Sequence, residues 1–238
     1  SYDLSLFTKD KIEELTNKAV IFTLYDLKDI NETNNYSFQV SGENKILYEI
    51  IIEMIMNTLE CDKKRTPFIH ISNEKKYTID YTTSKGNKIK LKGYIDKIDE
   101  TEKAVHLIDY KTTKLKKEID ATKVNSIEEL ISFFYKENDK KYVKEILQMC
   151  FYNLLYKKYT NKEIQTYLFL SRMSFDHTNF LDNTMVSLPY NWEDAFKKEL
   201  DNVIEDLLNK DNTISQTTNI HNCKYCNFAP MCRRETEE

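Results

Sequence analysis

The sequence predicts an α/β fold in which three consecutive strands and a later fourth strand are flanked by helices. Two short apolar runs, Tyr94–Ile98 and Ala104–Ile108, lie on either side of the polar break Asp99–Lys103, a pattern typical of a β-hairpin. Two segments before this hairpin have apolar residues at helical spacing. After it, the nearly continuous apolar run Ile164–Leu170 is typical of a buried strand.

The elements before the hairpin complete a three-stranded antiparallel unit. A first helix is expected over residues 9–29 and a second over Asn44–Leu59. The apolar residues of the second helix form one stripe: Ile46, Leu47, Ile50, Ile51, Met54 and Ile55. Tyr48, Ile52 and Met56 widen that stripe, so we expect this helix to be buried on more than one side. A bent strand is expected over Phe68–Ile71 and Lys75–Asp80, followed by a turn at Gly86-Asn87 and the strand Lys88–Ile98.

Two further helices are expected, over Asp139–Lys158 and Leu188–Leu208. We expect one domain over residues 1–238, with an N-terminal helical part at 1–60, a core at 67–170, and a C-terminal helix and cysteine-rich tail at 188–238.

Bulk composition excludes several classes of protein. The net charge of −4 argues against a protein that coats DNA nonspecifically, so any basic DNA surface must be local. No apolar run has the length of a membrane span and no signal peptide is recognisable, so we expect a cytoplasmic protein without membrane partners. With three glycines in all, the chain lacks the phosphate-binding loop of ATP motors.

The hairpin brings acidic groups together. If its two-residue loop is Glu102-Lys103, Asp96 lies opposite Asp109, and Asp109 and Lys111 share a face of the sheet. Two close carboxylates repel each other unless a cation lies between them, and Mg²⁺ suits such oxygen ligands. Lys111 could then align a water molecule or stabilise charge on a phosphate. The alternative is an exposed hairpin with ordinary cross-strand ion pairs.

The pattern Gly93-x-x-Asp96 followed by Asp109-Tyr110-Lys111 resembles motifs II and III of the PD-(D/E)xK nucleases, in their RecB/AddB-like exonuclease branch. The resemblance implies a restriction-endonuclease-like core, with a central mixed sheet in the order α-β-β-β-α-β and extra helices at both ends. It also implies that Asp96, Asp109 and the main-chain carbonyl of Tyr110 hold Mg²⁺ or Mn²⁺, while Lys111 serves the attacking water. The family usually has Arg where this chain has Lys97, which puts a bidentate ion pair in doubt, one with Asp99 among the candidates.

Other residues extend this resemblance. Gln148 and Tyr152 lie on one helical face and resemble the family's Q-x-x-x-Y motif, which implies DNA-contact and site-shaping roles. Glu74 is expected to be a surface glutamate, with an outer acidic group of the site as the alternative. The lysine-rich segment 112–127 is either a solvated loop or a basic segment that follows phosphates.

The tail contains Cys223, Cys226 and Cys232 within ten residues, a spacing that favours metal binding over disulfides. Zinc would take His221 as a fourth ligand, whereas a [4Fe–4S] cluster normally needs four cysteines. The resemblance favours iron–sulfur, with the fourth cysteine far upstream. Neither Cys61 nor Cys150 matches it, and no histidine matches the family's early metal ligand. We therefore expect a C-terminal piece of a longer protein, the rival being a natural variant that has lost cluster and activity.

The resemblance implies a metal-dependent DNA nuclease, the exonuclease domain of an AddB/RecB-like helicase–nuclease in double-strand break repair, with DNA and a helicase subunit or linked helicase domain as partners. Two alternatives remain. The fold could be a catalytically vestigial module for DNA binding or subunit docking. The tail alone could instead form a small zinc-binding interaction domain.

Overall fold

The computed structural model describes residues 8–36, 42–111, 123–135, 143–170, 185–213, 216–217, 220–224 and 226–234. Five α-helices and four strands follow one another within these ranges: α1 (Lys9–Leu24), α2 (Glu43–Arg65), β1 (Ile69–Thr82), β2 (Lys88–Glu100), β3 (Ala104–Lys111), α3 (Ile127–Tyr135), α4 (Val143–Tyr156), β4 (Glu163–Leu170) and α5 (Trp192–Leu208). Short 3-10 helices lie at Ile30–Asn35, Lys157–Tyr159 and Ile220–Cys223. None of the described helices combines the length and apolar character that a bilayer crossing requires.

The four strands form one mixed sheet in the order β1-β2-β3-β4, which confirms the predicted fold class. Neighbouring strands are antiparallel from β1 to β3, and β4 joins β3 in parallel. A parallel neighbour needs a long crossover connection, and α3 and α4 occupy that connection. Helix α3, nine residues long and strongly apolar in composition, lies in a stretch for which no element is predicted.

The main core lies between one face of the sheet and helices α4 and α5. Its fully buried side chains include Ile95, Ile98 and Leu107 from the strands and Met149 and Leu155 from α4. At Gly93, an added Cβ would lie 2.8 Å from Leu155 Cδ1, so glycine allows α4 to approach β2 closely. A smaller cluster on the other face contains Ile108, Tyr167 and Phe169, with Cys61 of α2 packed against it.

Helices α1 and α2 differ from the predicted bounds. Helix α1 begins after the N-cap Thr8 and ends at Leu24, five residues before the predicted end. Helix α2 continues six residues beyond the prediction, through the basic last turn Lys63, Lys64 and Arg65, whose charges suit the negative end of a helix dipole.

The prediction that the apolar stripe of α2 is buried on more than one side is wrong. Ile46 is 66% exposed and Leu47 58%, whereas Ile52, one of the residues that widen the stripe, is 3% exposed. The polar contacts of α2 with the sheet come from its C-terminal end, at Asp62 and Arg65. The N-terminal half therefore presents apolar side chains to solvent.

Strands β1 and β2 extend beyond the rest of the sheet as a two-stranded arm, defined here as residues 75–82 of β1 and 88–95 of β2. They pair along this whole length, whereas β3 pairs with β2 only between Lys97 and Glu100. The arm ends in a turn in which Gly86 has φ +89, a conformation that favours glycine. Strand β1 is continuous across the predicted bend between Ile71 and Lys75, and its pairing with β2 shifts register between His70 and Ser72.

Helix α5 holds the turn of the arm through two acidic side chains. Tyr81 donates a hydrogen bond to Asp201 Oδ1 at 2.7 Å, and the Ser84 amide donates to Asp201 Oδ2 at 2.8 Å. Thr83 Oγ1 donates to Glu205 Oε1 at 2.5 Å, and Asn87 Nδ2 donates to both oxygens of Glu205 at 3.0 Å. One face of the arm is thus fixed to α5, while the opposite face is not.

Candidate active site

The β2–β3 turn aligns the two aspartates that the sequence singled out. The amide of Thr101 donates to the carbonyl of Ala104 at 2.9 Å, so Glu102-Lys103 is the two-residue loop. Lys97 pairs with Ile108, and the same register places Asp96 opposite Asp109. Asp96 Oδ2 accepts a hydrogen bond from the amide of Tyr110 at 2.9 Å, which holds its carboxylate against β3.

Asp109 is a buried carboxylate with a cation beside it. It is 1% exposed, Lys111 Nζ lies 2.6 Å from its Oδ2, and Gln148 Nε2 donates to its Oδ1 at 3.1 Å. Apart from that ion pair, Oδ2 has no hydrogen-bond partner among the described residues. Burial raises the pKa of Asp109 to about 6; Lys111 opposes this shift and Asp96 adds to it.

Helix α4 covers the carboxylates with a polar network. Gln148 Oε1 accepts a hydrogen bond from Lys111 Nζ at 3.3 Å, and Gln148 Nε2 lies 2.6 Å from the hydroxyl of Tyr152. Burial raises the pKa of Tyr152 to about 12, with further contributions from the negative charges of Asp109, Asp96 and Glu74. The structure therefore brings Asp96, Asp109, Lys111, Gln148 and Tyr152 together in one group.

One carboxylate that faces this group is not among the predicted site residues. Glu145 lies three residues before Gln148 on α4, and its charge raises the pKa of Asp109. Its Oε2 is buried and has no hydrogen-bond partner within the described residues. The signal was present in the spacing, because residues at i, i+3 and i+7 share a helical face and Tyr152 is seven residues after Glu145.

Glu74 belongs to the edge of the same region. The register of β1 on β2 places it opposite Asp96, and its φ of +46 marks a local distortion of β1. The side chain is exposed, as expected of a surface glutamate, yet its charge contributes to the raised pKa of Tyr152. A row Glu74, Asp96, Asp109 thus crosses three neighbouring strands.

Comparison with known proteins identifies the family. The model of the PD-(D/E)XK nuclease superfamily matches residues 28–233. The chain belongs to this superfamily. The solved structure of SSO0001 is similar over 95% of this chain and 86% of its own, at 14% identity and a TM-score of 0.36. No curated protein matches the chain.

The two carboxylates of the candidate site suit a hard divalent cation, but they are fewer than the ligands such a cation needs. Asp96 and Asp109 offer carboxylate oxygens on one face, which is the donor type that Mg²⁺ and Mn²⁺ take. The buried Asp109 Oδ2, with an ammonium beside it, is a position where positive charge is already stabilising. Within the ranges that the structure describes, no three His, Cys, Asp or Glu side chains are grouped as metal ligands.

The other charged cluster lies on the opposite face of the sheet, below α2. Lys97 Nζ lies 2.6 Å from Asp62 Oδ2 and 3.3 Å from Asp99 Oδ2, so the suggested ion pair with Asp99 is present but is the longer of the two. Arg65 Nη2 donates to Asp99 Oδ2 at 3.0 Å, and its Nη1 donates to Asp62 Oδ1 at 2.9 Å. The guanidinium that β2 lacks at position 97 is therefore supplied by α2.

The remaining predicted residues fall outside this site or outside the described part of the chain. Tyr110 turns its ring away from Asp109 and packs edge-on against Phe169, with ring centroids 5.1 Å apart. Of the lysine-rich segment 112–127, residues 112–122 lie outside the described residues, as does the start of the helix predicted from Asp139.

The tail places its three cysteines in different environments. Cys223 is buried, Cys226 is exposed, and Cys232 is intermediate; Arg234 Nη1 lies 3.8 Å from Cys223 Sγ. The side chain of His221 lies outside the described residues. Cys150 lies in the main core and Cys61 packs against the smaller cluster, so both serve the packing of α4 and α2. Among the described residues, the three cysteines are not grouped as ligands of a metal ion.

Proposed function

We propose that this chain is a metal-dependent deoxyribonuclease that hydrolyses phosphodiester bonds. One observation carries the proposal: Asp96 and Asp109 share a face, with Lys111 Nζ 2.6 Å from Asp109 and Gln148 joining the lysine to the carboxylate. Membership of the PD-(D/E)XK nuclease superfamily supports the same reaction class.

The roles of the individual residues follow from their contacts. Asp96, Asp109 and the main-chain carbonyl of Tyr110 would hold Mg²⁺ or Mn²⁺, which when bound supplies Lewis-acid stabilisation of charge on the phosphate. Lys111 orients the attacking water, whose oxygen bonds to phosphorus as the P–O bond to the leaving strand breaks. The water gives up one proton in this step, and the leaving oxygen takes up one. Gln148 fixes the ammonium of Lys111, and the Tyr152 hydroxyl limits the site on the α4 side.

The experiment is cleavage of labelled DNA by the full chain in Mg²⁺ or Mn²⁺. We expect Asp96→Asn and Lys111→Met to lower the rate at least about 100-fold, because each removes a group that acts on the reacting phosphate. Asp206→Asn and Lys198→Met change the same residue types at exposed positions of α5 and should leave the rate unchanged. Cleavage by Asp96→Asn at the parent rate would refute the assignment.

We further propose that the activity is exonucleolytic and that the chain works within an AddB/RecB-like helicase–nuclease in double-strand break repair, in association with a helicase subunit or domain. The support is the resemblance of Gly93, Asp96, Asp109, Tyr110 and Lys111 to that branch. Linear and covalently closed DNA of one sequence test the first part, since an exonuclease degrades only the linear form.

A vestigial nuclease fold that binds DNA or docks a subunit is the second candidate. One fold can serve several functions, so membership of the superfamily does not by itself separate this candidate from the nuclease. Calorimetric titration with Mg²⁺ separates the two candidates: binding that Asp96→Asn abolishes supports the nuclease, and no binding by the parent chain supports the vestigial module. An iron–sulfur cluster at Cys223, Cys226 and Cys232 stays a prediction, tested by metal analysis of protein purified without oxygen.

A further inference from the structure

The outer face of the arm, the face turned away from α4, carries a regular row of exposed polar side chains. The opposite face is buried at Tyr77, Ile79, Leu91 and Ile95. Because strand residues alternate between faces, the residues between them point outward. They are all exposed and pair across the strands as Lys76 with Tyr94, Thr78 with Lys92, Asp80 with Lys90, and Thr82 with Lys88.

This face is basic in an acidic chain. Four lysines against one aspartate give it a local net charge of +3, whereas the whole chain has −4. None of the four lysines has an ion pair with a carboxylate among the described residues. Lys88, Lys90 and Lys92 recur at every second residue of β2, so their Cα atoms follow one another at about 6.8 Å. Like charges in such a row repel one another, and an extended polyanion would remove that repulsion.

An aromatic side chain, Tyr94, ends the row. Tyr94 is 56% exposed, and Lys76 Nζ lies 6.0 Å from the centre of its ring. Such a ring offers a stacking face for an unpaired base, whereas the bases of a duplex already stack on one another. Tyr94 is two residues before Asp96 on β2, so the row ends close in sequence to a candidate metal ligand, on the face of the arm that α4 does not cover.

We propose that the outer face of the arm binds single-stranded nucleic acid, with Lys88, Lys90 and Lys92 along the phosphates and Tyr94 stacked on a base at the end of the row. The identity of the polyanion as a nucleic acid rests on the proposed function. The binding face itself uses no residue of the candidate active site.

The test is fluorescence anisotropy with the full chain and a labelled oligothymidylate of about 20 nucleotides, in EDTA so that metal-dependent cleavage cannot occur. Lys90→Glu combined with Lys92→Glu should weaken binding about tenfold or more at about 50 mM salt. The slope of log K against log salt should fall by about 1.4, because each lost phosphate contact on a single strand contributes about 0.7. Tyr94→Ala should weaken binding about tenfold without a change in slope.

The matched control is Lys198→Glu with Lys210→Glu, an equal change in net charge at exposed lysines on and after α5. We expect it to bind like the parent. Equal weakening by both charge reversals, tighter binding of a duplex through the same lysines, or equally effective competition by polyglutamate would each overturn the proposal.

Failure of this inference and failure of the proposed function give different results. Hydrolysis of bis-p-nitrophenyl phosphate, a small phosphodiester that does not reach the arm, should be the same for the arm variants and the parent. A parent chain that cleaves DNA while its arm variants bind DNA normally contradicts only the arm. A parent chain that binds DNA through the arm but hydrolyses neither substrate contradicts only the nuclease.

Discussion

Asp109→Asn is expected to make the metal-free protein more stable while abolishing cleavage. The pKa of Asp109 is raised from 3.8 to about 6, chiefly by burial, so the folded state binds the proton more tightly than the unfolded chain does. At pH 7 the ionised side chain therefore costs folding free energy. A shift of about 2 units corresponds to about 3 kcal/mol, at 1.36 kcal/mol per unit. Asparagine cannot ionise, so we expect the variant to gain about 2–3 kcal/mol at pH 7.

The sign of the effect fixes its pH dependence. The cost is fully present above the folded pKa, decreases as the pH falls through about 6, and is absent below the unfolded value of 3.8. Urea unfolding of parent and variant in EDTA, from pH 7 to pH 4, measures it as a difference between two curves. Mg²⁺ should stabilise the parent and not the variant, because ligand that binds only the folded state adds to stability.

Asp206→Asn, at an exposed position of α5, is the control and should match the parent at every pH. A variant that is less stable than the parent at pH 7, or a difference that does not change with pH, would show that the buried Asp109 carboxylate is not the destabilising group.

Three further predictions concern packing, buried charge and metal affinity. Lys97→Met should lower the free energy of unfolding by about 3 kcal/mol, because it breaks the buried ion pair with Asp62; urea unfolding equal to the parent would contradict this. Gly93→Ala should cost about 1–3 kcal/mol in thermal unfolding, since the new Cβ would lie 2.8 Å from Leu155 Cδ1; an unchanged midpoint would show that α4 shifts freely. Glu145→Gln should raise the Mg²⁺ concentration for half-maximal cleavage about tenfold with little change at saturation, and an unchanged metal titration would remove Glu145 from the site.

The part of the fold closest to the site could be predicted because it is local in sequence. Two apolar runs around a short polar break define a hairpin, and the loop Glu102-Lys103 then fixes which residues face each other. Period-two alternation places Asp109 and Lys111 on one face, and helical spacing places Gln148 with Tyr152. Each of these relations spans fewer than about twenty residues of chain, so no tertiary information is needed.

Burial could not be predicted in the same way. The periodicity of α2 identifies an apolar face, but it does not say what covers that face, and Ile46 and Leu47 are exposed. The same limit applies to the arm: alternation separates its two faces, but which one α4 and α5 cover depends on residues more than fifty positions away. The cluster of Asp62, Arg65 and Asp99 joins elements that no local pattern connects.

The reason why Glu145 could not be predicted as a site residue is different. Glu145 shares its helical face with Gln148 and Tyr152, so the spacing was available, but an acidic residue in the first turn of a helix has an ordinary explanation in the helix dipole. Only the position of α4 above β3 makes its charge relevant to Asp109.

The ion pairs below α2 have a consequence for how that helix is aligned. Asp99 is fully buried and is matched by Arg65, while Asp62, one turn earlier on the same helix, is matched by Lys97. A shift of α2 along its axis by one residue would break the ion pairs Arg65–Asp99 and Lys97–Asp62 together. A buried charge would then be left without a partner, at a cost of several kcal/mol. Apolar contacts tolerate such a shift far better than ion pairs do. The ion pairs of this cluster therefore favour one register of α2 on the sheet over the adjacent ones.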